Sequence, residues 1–105
     1  MELSERASDP LLKDRHAGEA FDSLFHAAKM ASMAYLSTDV GRWGLVRKRL
    51  SEPYKTKFND FIITLHIKYF YNGEYPKERA KEEFNLWLKK VKEYVNELEA
   101  KIKKA

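Results

Sequence analysis

Cysteine is absent from the chain, which excludes every disulfide, thiolate nucleophile and Cys-ligated metal site. Glutamine is absent as well, while charged residues make up 34% of the 105 positions. Few thermolabile side chains beside abundant Lys and Glu is a thermophilic pattern. Long apolar runs are lacking: segments such as Phe61-Ile62-Ile63 fall far short of the about 20 residues a membrane-spanning helix needs. The opening Met1-Glu2-Leu3-Ser4-Glu5-Arg6 has no basic-then-apolar leader pattern, so a cytoplasmic location with no membrane partner is expected. Only four glycines occur, Gly18, Gly41, Gly44 and Gly73, and none has the spacing of a phosphate-cradling loop. The three histidines, His16, His26 and His66, form neither Glu-x-x-His pairs nor an i,i+4 His pair. No metal and no other cofactor is therefore expected.

What is present is a hydrophobic content of 44%, with six Phe, six Tyr and two Trp, enough for one core in a single domain over residues 1–105. The net charge of +4 is unevenly spread. Arg42, Arg47, Lys48, Arg49, Lys55 and Lys57 face only Glu52 in residues 42–57, whereas residues 1–36 are net acidic. The basic segment is either a site for an anionic partner such as RNA or a solvated helix and loop.

Four helical segments follow from the periodicity. The first runs from Pro10 to Leu36, with Asp9 as N-cap and Pro10 in the first turn. Ala17, Phe21, Leu24, Ala28, Ala31 and Tyr35 recur at spacings of three and four as one apolar stripe. Gly18 and the flanking Ala20, Ala27 and Ala34 leave room for a close neighbour. A short basic helix is predicted over Val40 to Leu50. A third runs from Glu52 to Tyr71, capped by Ser51, striped by Tyr54, Phe58, Phe61, Leu65 and Tyr69, and closed by Asn72-Gly73. The last begins near Pro76 and carries Phe84, Trp87, Val91, Tyr94 and Leu98, with Glu97 and Lys101 as an i,i+4 pair. Short connections between such helices imply an all-α, up-and-down antiparallel bundle.

Candidate site residues come from polar positions on these helices. Arg15, Glu19, Asp22 and His26 form a polar series in an Ala-rich helix; Asp22 and His26, four apart, share a face and can hydrogen-bond. The series reads as a polar pocket, a network at a subunit contact, or a solvated face. Gly41-Arg42-Trp43-Gly44 reads as a place where a phosphate approaches backbone, or as a tight junction with Trp43 in the core. His66 lies mid-helix among aromatics, either as a hydrogen-bonded structural residue or as a ligand contact. Arg42, Arg47 and Arg49 are the candidate anion contacts.

Asp14 to Ala31 resembles the long second helix of HEPN domains, and Leu65-His66-Ile67-Lys68-Tyr69-Phe70-Tyr71-Asn72-Gly73-Glu74-Tyr75-Pro76 with Phe84 to Leu98 resembles the closing helices of HEPN-like archaeal families. The likeness implies a HEPN-like helical bundle that forms a homodimer. It also implies a non-catalytic module for protein interaction or nucleotide binding, with a small nucleotidyltransferase as partner, or a ribonuclease of toxin–antitoxin type. The ribonuclease branch places four to six residues between its Arg and its His. The positions at that range before His66 are Asn59, Asp60 and Phe61, so the non-catalytic branch is the expectation. HEPN domains also carry a long helix ahead of the one matched here, for which residues 1–9 are too short. A partner chain is expected to cover that face, or the natural chain to begin upstream.

Overall fold

The structure, a computed structural model, describes residues 10–104, with side chains placed for residues 16–103; the predicted Asp9 cap lies outside the described residues. Helix α1 spans Pro10–Leu36, the predicted bounds. It closes with two backbone bonds, Thr38 N–H to the Met33 carbonyl (3.0 Å) and Ser37 N–H to the Ala34 carbonyl (3.1 Å), around Ser37 in the left-handed conformation at φ 54°.

Helix α2 spans Trp43–Arg49, starting three residues later than Val40. The Val40 N–H donates to Thr38 Oγ1 at 3.2 Å, and Arg42 stays extended, so the connection spends its donors outside the helix. Helix α3 spans Tyr54–Phe61. Its cap is the Glu52 carboxylate and not Ser51: Oε1 accepts the Thr56 N–H (3.1 Å) and the Thr56 hydroxyl (2.7 Å). These bonds lower the Glu52 pKa below the ordinary carboxylate range.

Past Phe61 the predicted α-helix is replaced by a π-helix over Ile62–Tyr71, its last bond running from Asn72 N–H to the Ile67 carbonyl at 3.0 Å. The β-branched Ile62, Ile63, Thr64 and Ile67 crowd an α-helical turn and weaken its advantage over the wider one. Gly73 then reverses the chain at φ 67°. A single tight turn, Lys77–Arg79, precedes helix α4, Ala80–Lys104, so Pro76 opens that turn and not α4 itself.

The described residues form an all-α bundle without strands. Helix α1 is its spine, with α4 along one flank, α3 and the π-helix along the other, and α2 across the end shared by α1 and α3. The core holds Phe21, Leu24, Phe25 and Ala28 of α1, Phe58, Phe61, Ile62 and Leu65 of the third segment, and Val91, Tyr94 and Leu98 of α4. The Phe21, Leu24 and Ala28 stripe is thus covered within the chain, while Ala27, Ala34 and Met30 stay exposed. A Cβ on Gly18 would meet the Tyr69 carbonyl oxygen at 3.7 Å, so the π-helix does approach closely but leaves van der Waals room. Gly44 faces open space, so the tight-junction reading does not hold there, whereas Gly41 lies against Lys29 and Met33 of α1 and Trp43 packs half-buried on the core.

Polar links tie neighbouring helices together. Ser32 Oγ donates to the Ala28 carbonyl (2.8 Å), so its lone hydroxyl proton is spent and the Tyr94 hydroxyl donates to Ser32 Oγ (2.6 Å), joining α4 to α1. Burial pushes the Tyr94 phenol up to about 12. Arg47 Nη1 donates to Asn59 Oδ1 (2.9 Å) between α2 and α3. Glu97 takes Lys57 of α3 at 3.1 Å.

The π-helix joins α4 through Glu83, whose Oε2 accepts from the Tyr69 hydroxyl (2.5 Å) and Trp87 Nε1–H (2.9 Å). Burial, with the bond to Glu83 adding to it, raises Tyr69 to about 12, while the Tyr69 bond lowers the Glu83 carboxyl below its usual range. A carboxyl depressed in the folded state adds stability above its unfolded pKa and loses it as pH falls through the folded value. Stability should therefore decline on acidification below the ordinary Glu range. Glu83→Gln should flatten that decline and cost about 1 kcal/mol at neutral pH. Urea unfolding of both proteins across acidic pH checks this; identical pH profiles would contradict it.

Candidate functional site

Two segments that pack against each other build the site. One turn of α1 presents Asp22 and His26 on one face, as their spacing predicts. The π-helix lies against that face and contributes His66, 44 residues further along the chain. Asp22 Oδ1 is 2.8 Å from His66 Nδ1 and Asp22 Oδ2 is 3.2 Å from His26 Nε2, so one carboxylate holds two imidazoles. Asp22 and His66 are largely enclosed, at 13% and 15% side-chain exposure, while His26 is 55% exposed.

A carboxylate only accepts, so the His66 nitrogen bonded to it carries a proton, Nδ1–H, while His26 lies within ion-pair distance. Every buried side-chain N or O among the described residues has a hydrogen-bond partner. The ring orientation is set by packing. His66 lies nearly parallel to Phe25 (4.7 Å, 22°) and Phe70 (6.0 Å, 20°) and edge-on to Trp43 (6.1 Å) and Tyr71 (5.1 Å). Tyr71 is 71% exposed. The result is an anchored imidazole in an aromatic surround, with a second imidazole beside it in water.

Cations adjoin this face. The Arg47 guanidinium lies over Trp43 at 5.7 Å while bonded to Asn59. Arg42 precedes Trp43 and is exposed, as are Lys48 and Arg49; Arg49 Nη1 touches Thr38 Oγ1 at 3.4 Å. Lys29 Nζ would lie 3.9 Å from a Cβ on Gly41, which places it beside the connection from α1 to α2.

Of the residues singled out from sequence, Asp22, His26 and His66 come together, with Arg47 reaching them through Trp43. Glu19 is exposed one turn away, 3.8 Å from His16 Nδ1. Arg42 is exposed just ahead of α2, and Arg49 is exposed at its end and reaches Thr38. Arg15 belongs to α1, but its side chain lies outside the described residues. Phe70 and Tyr71 belong to the aromatic run that follows His66, whereas the packing of Phe25 on that ring has no local signal in the sequence.

No group of three or more His, Asp or Glu side chains among the described residues is placed to hold a metal ion. The Asp22 oxygens are already occupied by the imidazoles. No described helix is long and apolar enough to cross a membrane. Comparison of the chain with protein families, curated proteins and solved structures finds no match.

Proposed function

We propose that the protein is a non-catalytic helical module of HEPN-like type, homodimeric, that binds a nucleotide where Asp22 holds His26 and His66. The observation that carries this reading is the shared carboxylate: it fixes two imidazole rings beside the exposed ring of Tyr71 and the half-buried ring of Trp43. Such a face matches the two halves of a nucleotide. An aromatic ring stacks a base for about 1–3 kcal/mol irrespective of base identity. Exposed His26 and Arg42 with half-buried Lys29 supply donors and positive charge for phosphate. A small nucleotidyltransferase is the protein partner that accords with a nucleotide-binding role. The Arg expected before a ribonuclease histidine is missing ahead of His66, which favours binding over cleavage.

A second reading, single-stranded RNA as ligand, is favoured by the exposed cations of α2, which continue the face away from Trp43. Titration with adenosine monophosphate, followed by isothermal titration calorimetry at low salt, tests the first. Saturable binding that weakens about tenfold or more in Trp43→Ala is the expected result; no saturation at millimolar nucleotide would refute it. RNA binding whose log–log salt slope grows by about 0.7 per phosphate contacted would move the assignment to the second reading.

A further inference from the structure

On the side of the bundle where α3 and α4 both lean on α1, a groove of about 540 Å³ stays open between them. Its floor is aromatic: Phe61, Trp87 and Tyr94 meet edge to face there, with ring centroids 5.1–6.1 Å apart around Phe61. Its rim is charged and carries both signs, Lys57 and Lys90 against Asp60, Glu93 and Glu97.

The distribution of those charges along α4 selects an occupant. Lys89, Lys90 and Lys92 cluster in one stretch, and Glu93, Glu97 and Glu99 follow in the next two turns. A helix with that order repels a parallel copy of itself and attracts an antiparallel one, because each basic stretch then faces an acidic one. In a two-fold contact centred near Tyr94, position 90 of one chain lies opposite position 97 of the other, and the same pair recurs across the axis. Lys90 is available at the rim, its amine 4.4 Å from the Trp87 ring centroid. Glu97 binds Lys57 in an exposed pair and can turn a lone pair to a second cation.

We infer that a second copy of this chain docks in the groove between α3 and α4, α4 against α4 and antiparallel, with Lys90 facing Glu97 of the partner subunit. This rests on the homodimeric state proposed above and moves the contact away from the α1 stripe, which α4 and the π-helix already cover. Trp87, 9% exposed, is the aromatic contact at the floor, with the charged pairs around it, while Tyr94 lies beneath in the core.

Charge reversal tests the pairing. Light scattering with size-exclusion chromatography should show the wild type at twice 12.4 kDa at micromolar concentration. Lys90→Glu and Glu97→Lys should each raise the dimer dissociation constant more than about tenfold, since each creates two like-charge contacts. Mixing the two variants should restore the dimer, because each mixed contact again pairs opposite charges. Helical circular dichroism of each variant verifies that it folds, and restoration on mixing separates pairing from a folding defect. A monomeric wild type would overturn both the homodimer and this interface. A wild-type dimer that neither reversal weakens, or variants that stay apart when mixed, would overturn the interface alone.

Discussion

Phe21→Ala should destabilise the bundle by roughly 3–5 kcal/mol, the largest effect expected of any single substitution discussed for this chain. Phe21 is 1% exposed and touches three rings at once: Tyr69 at 4.8 Å, Tyr75 at 5.5 Å and Phe84 at 5.9 Å. These come from the π-helix, the turn after it and α4, so truncation opens a cavity where three segments meet on α1. None of the three can shift inward without moving the others, and Tyr69 is held by Glu83. A domain of this size has a total stability of only about 5–15 kcal/mol, so the variant retains a small margin or none. A melting temperature lowered by on the order of 15–25 °C is the expected reading. A loss below about 1 kcal/mol would mean that the ring is not where the structure places it.

The second large effect is at Asp22. Asp22→Ala strips the hydrogen-bond acceptor from Nδ1 of a His66 ring enclosed by Phe25 and Phe70. A donor left unpaired in such a place costs about 1–3 kcal/mol, and the ring no longer has a defined tautomer or direction. His26, 55% exposed, loses its partner but can turn to water. The stability loss should therefore be shared with His66 and not with His26: Asp22→Ala/His66→Phe should recover much of the loss by removing the unpaired donor, whereas Asp22→Ala/His26→Ala should match Asp22→Ala alone. Nucleotide affinity should fall about tenfold or more in Asp22→Ala, equivalent to about 1.4 kcal/mol. Asn at the same position keeps the volume and one acceptor, so it should retain most of the stability while holding only one imidazole as before. Melting curves and nucleotide titrations on this set check both halves. Unchanged binding in Asp22→Ala would detach the carboxylate from the site.

What the sequence reveals follows the range of the physics involved. The bounds of α1 are legible because Pro10 and the stripe through Phe21, Leu24 and Ala28 are local signals. The buried positions of α4, from Trp87 through Val91 and Tyr94 to Leu98, are likewise read from spacing alone. The stripe does not extend to Ile102, 42% exposed, because α4 outruns the core that covers it. The π-helix is illegible: Tyr54, Phe58, Phe61, Leu65 and Tyr69 satisfy an α-helical period, and the widening depends on what presses against Ile62 to Tyr71 in the fold. The site divides in the same way. Asp22 with His26 is an i,i+4 pair visible in the sequence, while His66 joins them only because the π-helix packs on α1. Glu97 shows the converse. Local spacing pairs it with Lys101, yet in the bundle it reaches Lys57, 40 residues away.

The measurement that bears most directly on the proposed role is a side-chain ¹⁵N nuclear magnetic resonance titration with adenosine monophosphate at low salt. Both indole N–H groups report separately, since Trp87 is bonded to Glu83 beneath the opposite groove and Trp43 stands against His66. The imidazole nitrogens of His26 and His66 and the Trp43 indole should shift together and saturate with one dissociation constant, while the Trp87 indole stays still. Shifts confined to Trp87, or no shift of His26, His66 and Trp43 at millimolar nucleotide, would contradict the assignment of a nucleotide to this face.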